Sequence, residues 1–366
     1  MQPVPVHIVV GLDAPDQALA AMGLHVDLTG SAVVSVTVDA AEGAVRWVVS
    51  DLTGIAEQGH EDVAHPCLTC SIREALLPML TRLASSGRWA SLIVVLPVAA
   101  DPLPMTLAVA EGEVRGQAVA DILEVATVVA VVSAKDLCSG VFDDPLLSEL
   151  DLNMVDDDQR AYGEVLVAQI ELADDIVLVH GIPDESDAAL LDHLRRPGSR
   201  LHHGMETFGG SPAVADYRHD IQASRAFVDP RHRRPSGAVP AGGIVTIELT
   251  SWKPFHPERL LERIEELGSG DLRGRGAFWL PGRPGLAIAW DAAGAALSIG
   301  AVGRWDDAER ATRLVVTTDE ETAQVVSSAF DAAIMTDTEM VSAQARWSGR
   351  DDGFGEWLGD IEFGAA

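Results

Sequence analysis

The residues of this chain best equipped for chemistry lie in HEDVAHPCLTCSIREALL, residues 60–77. Cys67 and Cys70 are spaced C-x-x-C, with His65 and His60 just upstream and a helical pattern just downstream. Two thiolates at this spacing can share one zinc ion at about 2.3 Å, but tetrahedral zinc needs two further donors. His65 and His60 are the nearest, and Glu61 or Asp62 could also serve. Arg73 and the start of a helix would both favour thiolate. The same pair could instead cycle between dithiol and disulfide, or be two buried thiols with no chemistry. The residues alone leave all three open.

The elements around this stretch alternate. VHIVVGL (6–12), SAVVSVTVDA, VRWVVSDL, ASLIVVLPV (90–98), ATVVAVVSAKDL (126–137) and DDIVLVHGIP (174–183) are strand candidates. Several are continuous apolar runs, as strands covered on both faces require. DQALAAMGLHV and REALLPMLTRLASSGRW (73–89) carry helical spacing between them. Strands alternating with helices predict an α/β domain wound around a mostly parallel sheet. Residues 140–160 are acidic and predict a surface excursion; residues 204–242 are rich in Gly, Pro and Ser and predict a linker. From 243 onward, GIVTIELTS, HPERLLERIEELGSG, the stretch GAFWLPGRPGLAIAWDAAGAALSIGAVG and TRLVVTTDEETAQVVSSAFDAAI predict a small α+β domain, its first helix opening at Pro257 and its last near Thr318.

Composition narrows the function classes. Of 366 residues, 47% are hydrophobic and 22% charged, a globular balance, and the length predicts two domains. Twenty-six Lys and Arg stand against 56 Asp and Glu, a net charge of −30, which repels nucleic acid and anionic lipid and attracts basic proteins and cations. Three cysteines are too few for a disulfide scaffold and suit a reducing, cytoplasmic compartment. No apolar run is long enough to span a membrane, and MQPVPVHIVV has no secretory pattern. The expected partner is a basic protein, with no direct nucleic acid and no membrane.

A parallel sheet of this kind usually binds its ligand at the turn after the first strand. A phosphate cradle there needs glycines, a lysine and a Ser or Thr. Here the turn reads VVGLDAPDQALAAM: Gly11 is present, the lysine and hydroxyl are not, and Asp13 and Asp16 stand where phosphate would sit. Two like charges about 4 Å apart cost on the order of 1 to 4 kcal/mol, depending on dielectric.

The order of segments resembles the CobW-like family of metallochaperone GTPases. PCLTCSIREALL resembles its G-C-x-C-C-T-x-R metal motif, and VVLPVAADPLPM its E-x-x-G-x-A-D-P-x-P segment. AQIELADDIVLVHG is similar to A-x-A-D-x-x-x-x-N-K-x-D, and PFHPERLLERI, GRGAFWLPGRPG, AIMTDTEM and GFGEWL resemble the CobW C-terminal domain in order. The resemblance implies a P-loop-NTPase-like domain over 1–203, a linker over 204–242 and a CobW C-terminal-like domain over 243–366. It also implies zinc as the metal at the kept Cys67 and Cys70, with His65 as the expected further donor. The departures matter as much. Thr69 replaces the middle cysteine and Pro66 the glycine; Val95 stands at the family's Glu before the switch segment, Val98 at its glycine and Ser133 at the Asp after the next strand; VHGIP (179–183) replaces the base-reading motif. Asp101, Pro102 and Pro104 remain. With no catalytic residue and no intact nucleotide-binding residue, GTP and magnesium are not expected to bind, and the chain is read as a pseudo-GTPase. The eroded loop and the C-x-x-C-[ST]-I-R form look like an actinobacterial branch described as recruiting a ribosome hibernation factor when zinc is scarce. The alternative implied by the resemblance is a working GTP-dependent chaperone for zinc or cobalt.

The remaining candidates carry bland expectations. Cys138 is expected to be buried packing, His202 and His203 to lie in a surface loop, and His256 to cap a helix. Trp252, Trp279, Trp290 and Trp305 are expected in the core of the small domain, and Arg231, Arg233 and Arg234 in a solvated linker.

Overall fold

The computed structural model describes residues 2–143, 145–208, 218–305 and 309–359. Part of the expected linker, 209–217, lies outside the described residues. The chain divides into two compact units. The first comprises Met1–Leu137, Pro145–Asp184 and Arg195–Ser224; the second comprises Cys138–Asp144, Glu185–Leu194 and Arg225–Ala366.

The first unit is built on an eight-stranded sheet: β1 (Val4–Gly11), β2 (Ser31–Asp39), β3 (Ala44–Asp51), β4 (Gly54–Asp62), β5 (Ser91–Val95), β8 (Leu123–Ser133), β9 (Asp175–Val179) and β10 (Arg200–His203). A two-stranded hairpin, β6 (Glu113–Val114) with β7 (Gln117–Ala118), lies apart from it. The strand order is β10-β9-β8-β1-β5-β2-β3-β4. The six strands from β10 to β2 run parallel; β3 and β4 join as antiparallel hairpin strands. This is the wound, mostly parallel sheet expected from the apolar runs. Every residue of β5 and β9 is buried, which accounts for sequences without alternation. Helix α1 (Ala14–Asp27) follows β1 and packs Ala20, Ala21 and Leu24 into a core with Val9, Ile93 and Val95.

The second unit is a small α+β domain. Its five-stranded antiparallel sheet runs in the order β11 (Ile244–Ser251), β15 (Thr312–Asp319), β12 (Leu272–Phe278), β13 (Leu286–Ala293), β14 (Ala296–Arg304). The helix Glu320–Ala333 covers it, and Phe255, Phe278, Trp290, Phe330 and Phe354 form the core. Asp319, not Thr318, caps that helix by accepting the Glu321 and Thr322 amides.

Several local expectations are corrected. The helix expected from Pro257 breaks at Arg263, whose backbone leaves the helical region. RLHH is strand β10, and His202 is buried with its ring 2.7 Å from the Asp175 carboxylate. Trp279 and Trp290 are buried, but Trp252 is 63% exposed. Arg233 is buried, stacked 4.1 Å over the Phe227 ring, so the basic cluster is not simply solvated. Cys138 is half-buried, its amide donating to Asp187. His256 sits at the helix N-cap but makes no capping bond; its ring packs edge-on against Trp347.

Candidate metal centre and the cavity at the strand ends

Strand β4 carries His60, Glu61 and Asp62, and the chain then turns into a helix whose first residues hold the thiols. Cys67 is the N-cap of α2 (Leu68–Ser71), its sulfur accepting the Cys70 amide at 3.5 Å. One helical turn separates the two thiols, so both face the segment that carries His65. Downstream the helix widens into a π turn at Ile72–Leu76 before α3 (Leu77–Ser85). Pro78 supplies the reason: it has no N–H to give the preceding turn and its ring crowds the carbonyl four residues back. The Leu77 amide bonds to the Ile72 carbonyl, five residues back.

His65, Cys67 and Cys70 present one donor atom each, all within 4.8 Å of one another. Among the described residues this is the one group of three or more His, Cys, Asp or Glu residues close enough to hold a metal. His60, Glu61 and Asp62 do not join it; His60 stays on β4, opposite Arg46 on β3. The donor set fits zinc. At about 2.3 Å per bond, tetrahedral zinc holds its sulfurs about 3.8 Å apart, so modest side-chain rotation closes the triad. Both cysteines are free and half-buried; His65 is exposed.

The charges in the triad are mutual. Burial alone would raise the Cys67 thiol, but hydrogen bonds from the Cys70 amide, His65 and the Cys70 thiol outweigh it and bring it below its ordinary value. Cys70 is raised, first by its hydrogen bond to Cys67 and then by burial. Arg73 lowers Cys70, as expected, but Cys67 and burial outweigh it. The Arg73 guanidinium lies 3.0 Å from Glu74, and Glu74 also accepts the Ala64 amide. The Cys67 partner raises His65.

At the carboxyl ends of β1, β2 and β5 lies a cavity of about 630 Å³. It occupies the position of a nucleotide site in a sheet of this class. Its wall is mostly carbon: Leu12, Ala14, Pro15, Ala18, Val36, Val38 and Val95–Val98, with Leu152 and Met154 from the acidic excursion. Among the described residues its charged lining residues are Asp13 and Asp151, and no Lys, Arg or His lines it. Asp13 is the N-cap of α1 and accepts the Asp16 amide at 2.9 Å. Pro15 has no amide to offer a phosphate, and Asp16 is engaged by His180 at 2.6 Å. The N-terminus of α1 is therefore served by the chain's own carboxylate. Asp101 accepts the Leu103 amide at 2.8 Å, and Pro102 and Pro104 open the helix α4 (Leu103–Glu111), so the retained D-P-x-P residues have local structural roles.

The place of the cavity, at the turn after the first strand, was legible from the alternation of elements; the contribution of β2 and the 151–154 loop to its wall was not, because they are far apart along the chain.

Comparison with known proteins adds kinship. Residues 244–334 match the cobalamin synthesis protein cobW C-terminal domain family. The chain is 28% identical to the zinc chaperone Rv0106 of Mycobacterium tuberculosis, over 97% of this chain and 94% of that one. It is 24% identical to the zinc-regulated GTPase metalloprotein activator 1 of Dictyostelium discoideum, over 67% of this chain and 54% of that one. Among solved structures, the Zn(II)-bound YjiA GTPase of E. coli is similar at a TM-score of 0.34 and 14% identity, over 91% of this chain and 99% of that one. The sequence matches support a CobW-like kinship.

Proposed function

We propose that this chain is a zinc-homeostasis-linked adaptor on a CobW-like scaffold. It binds zinc as cargo or signal through His65, Cys67 and Cys70. It has lost GTP hydrolysis, and it acts in the cytoplasm by recruiting a basic protein partner, such as a ribosome hibernation factor or a ribosomal protein. The observation that carries the zinc part is the convergence of the three donors within 4.8 Å. A structural zinc site is closed by four protein ligands, whereas a site with three keeps a position open for exchange. The zinc-linked names of the relatives point the same way.

The loss of hydrolysis rests on the cavity. Phosphoryl transfer is mostly positioning and charge stabilisation by lysine, magnesium and their ligands. Among the described residues the cavity offers two carboxylates and no cation. The partner reading rests on charge: at −30, contact with a ribosome runs through a basic protein rather than RNA. Among the described residues no helix is long and apolar enough to cross a membrane.

The zinc test is the metal content and zinc affinity of the purified chain against a Cys67→Ala, Cys70→Ala variant. Loss of binding in the variant is expected, and equal zinc in both rejects the site. The partner test is a pull-down under zinc depletion with a purified hibernation factor and ribosomal proteins as the probes; failure to enrich either rejects recruitment. A second reading, a GTP-dependent chaperone for zinc or cobalt, is favoured by the GTPase named among the relatives. Calorimetry with GTP and magnesium separates the two, because micromolar binding would replace the first reading with the second.

A further inference from the structure

Helix α1 is apolar on both sides. Its sequence, APDQALAAMGLHVD, contains no lysine or arginine. One face, Gln17, Ala20, Ala21 and Leu24, is buried against the sheet. The opposite face should carry charge if it met only water. Instead Leu19, Met22 and Val26 are 55%, 62% and 69% exposed. Their spacing of three and four residues stacks them in one stripe along the helix. Pro15, one turn before Leu19, continues the stripe into the mouth of the 630 Å³ cavity, where Ala18 also lines the wall. Stripe and cavity are thus one continuous apolar surface.

The charges on α1 itself are acidic: Asp13 caps it, Asp16 stands in its first turn, where it meets His180, and Asp27 ends it, while the helix carries no lysine or arginine. Asp13 and Asp151 stand in the cavity itself. A second copy of the chain would bring −30 against −30, and an anionic membrane would be repelled as strongly. The complementary occupant carries apolar side chains on one side and positive charge on the other.

We propose that the outer face of α1, together with the cavity at its N-terminal end, is the docking groove for an amphipathic basic segment of a partner protein. Leu19, Met22 and Val26 form the apolar floor, the cavity takes an anchoring apolar side chain, and the aspartates meet the segment's Lys or Arg residues. This is helix-in-groove recognition with the negative charge on the receptor. The proposal rests on the partner-recruiting reading above and adds where the partner sits.

The probe is a synthetic amphipathic peptide with leucines on one face and lysines on the other, compared with a glutamate-faced twin. Fluorescence anisotropy with the full chain measures binding. The variant is Leu19→Gln, Met22→Gln, Val26→Gln, which keeps the net charge. These side chains are more than half exposed, so circular dichroism and zinc binding should be unchanged. The native chain should prefer the lysine peptide, and the variant should lose about tenfold or more of that affinity. Equal affinity in native chain and variant would overturn the groove and leave general acidity as the cause. Equal binding of the two peptides would overturn the charge match. A native dimer that the variant turns into a monomer would give the face to a second copy instead. In the hibernation-factor pull-down, equal recruitment by native chain and variant overturns the groove while recruitment stands. If the native chain recruits no factor but peptide binding follows the stripe, recruitment fails and the groove stands.

Discussion

Replacing His65 by alanine should uncouple zinc binding from folding. His65 is exposed, so its removal should change stability by no more than about 0.5 kcal/mol. The effect on zinc is far larger. Four-donor zinc sites bind with about 10 to 16 kcal/mol, or about 2.5 to 4 kcal/mol per donor. Losing one donor of three therefore weakens zinc by roughly 10²- to 10³-fold. Cys67→Ala should cost at least as much, and up to about 1 kcal/mol of stability besides, because Cys67 also caps α2. Competition against a chromophoric chelator at neutral pH reads the affinity, and thermal melting of the metal-free chain reads the fold. If His65→Ala holds zinc as tightly as the native chain while the cysteine variants do not, another group is the third donor. If all variants match the native chain, the triad is not a site, however close its atoms.

Four other outcomes follow from the same reasoning. Cobalt(II) bound to the triad should change its visible spectrum when imidazole is added, since three protein donors leave a position open; an unresponsive spectrum would mean a closed site. Burial, helped by repulsion from Arg218 and opposed by Asp175, lowers His7 on β1 from 6.5 to about 4. Its folded value lies below its unfolded value, so its stabilisation is complete above pH 6.5 and fades as pH falls toward 4. Urea unfolding should lose about 3 kcal/mol over that range, and His7→Gln should flatten the slope. A Cβ on Gly276 would lie 1.9 Å from the Arg313 carbonyl oxygen, so Gly276→Ala should force β12 from β15 and cost about 1 to 3 kcal/mol or more by calorimetry. Asp352 is buried and paired with Arg283 at 2.8 Å, so Asp352→Ala leaves a buried guanidinium with only the Leu358 and Gly359 carbonyls and should cost about 3 kcal/mol by calorimetry.

The strands that were legible are those whose residues are buried on both faces. VHIVV, SLIVV and DIVLV could hardly be anything else, because a continuous β-branched run has few other folded uses. Strand β4, GIAEQGHED, gave no such signal: it is mostly exposed and carries neither an apolar run nor clean alternation. That omission shaped the metal site. With β4 unseen, His60 and His65 looked equally available, whereas strand pairing holds His60 opposite Arg46 and leaves His65 in the turn before Cys67. The C-x-x-C spacing itself was legible because one helical turn is a local fact. The burial of His202 against Asp175 was not, since it depends on β10 pairing with β9 some 25 residues earlier in the chain. The outer face of α1 was open to view as a helix without cations, but exposure is decided by what packs nearby, and no single segment records that.

The open triad and the cation-free cavity fit one economy of free energy. A chaperone that hydrolyses nucleotide can hold its metal tightly and release it with the energy of hydrolysis. A chain that cannot do this must let zinc go by exchange, and a tight, closed site would trap it. Three donors at about 2.5 to 4 kcal/mol each give about 7.5 to 12 kcal/mol, dissociation constants from roughly micromolar to nanomolar. In that range the supply of free zinc sets occupancy, and the open fourth position lets an acceptor's ligand enter before a protein ligand leaves. The two cysteines of the triad sit at the first helical turn after β4, and that helix is widened ahead of Pro78, so a change in metal occupancy acts on a segment already departing from regular helix. On the proposed reading, then, the absence of a phosphate-gripping lysine from the first turn and a metal group of three donors among the described residues are linked: once hydrolysis is gone, a weaker and exchangeable metal site is the form that can still respond.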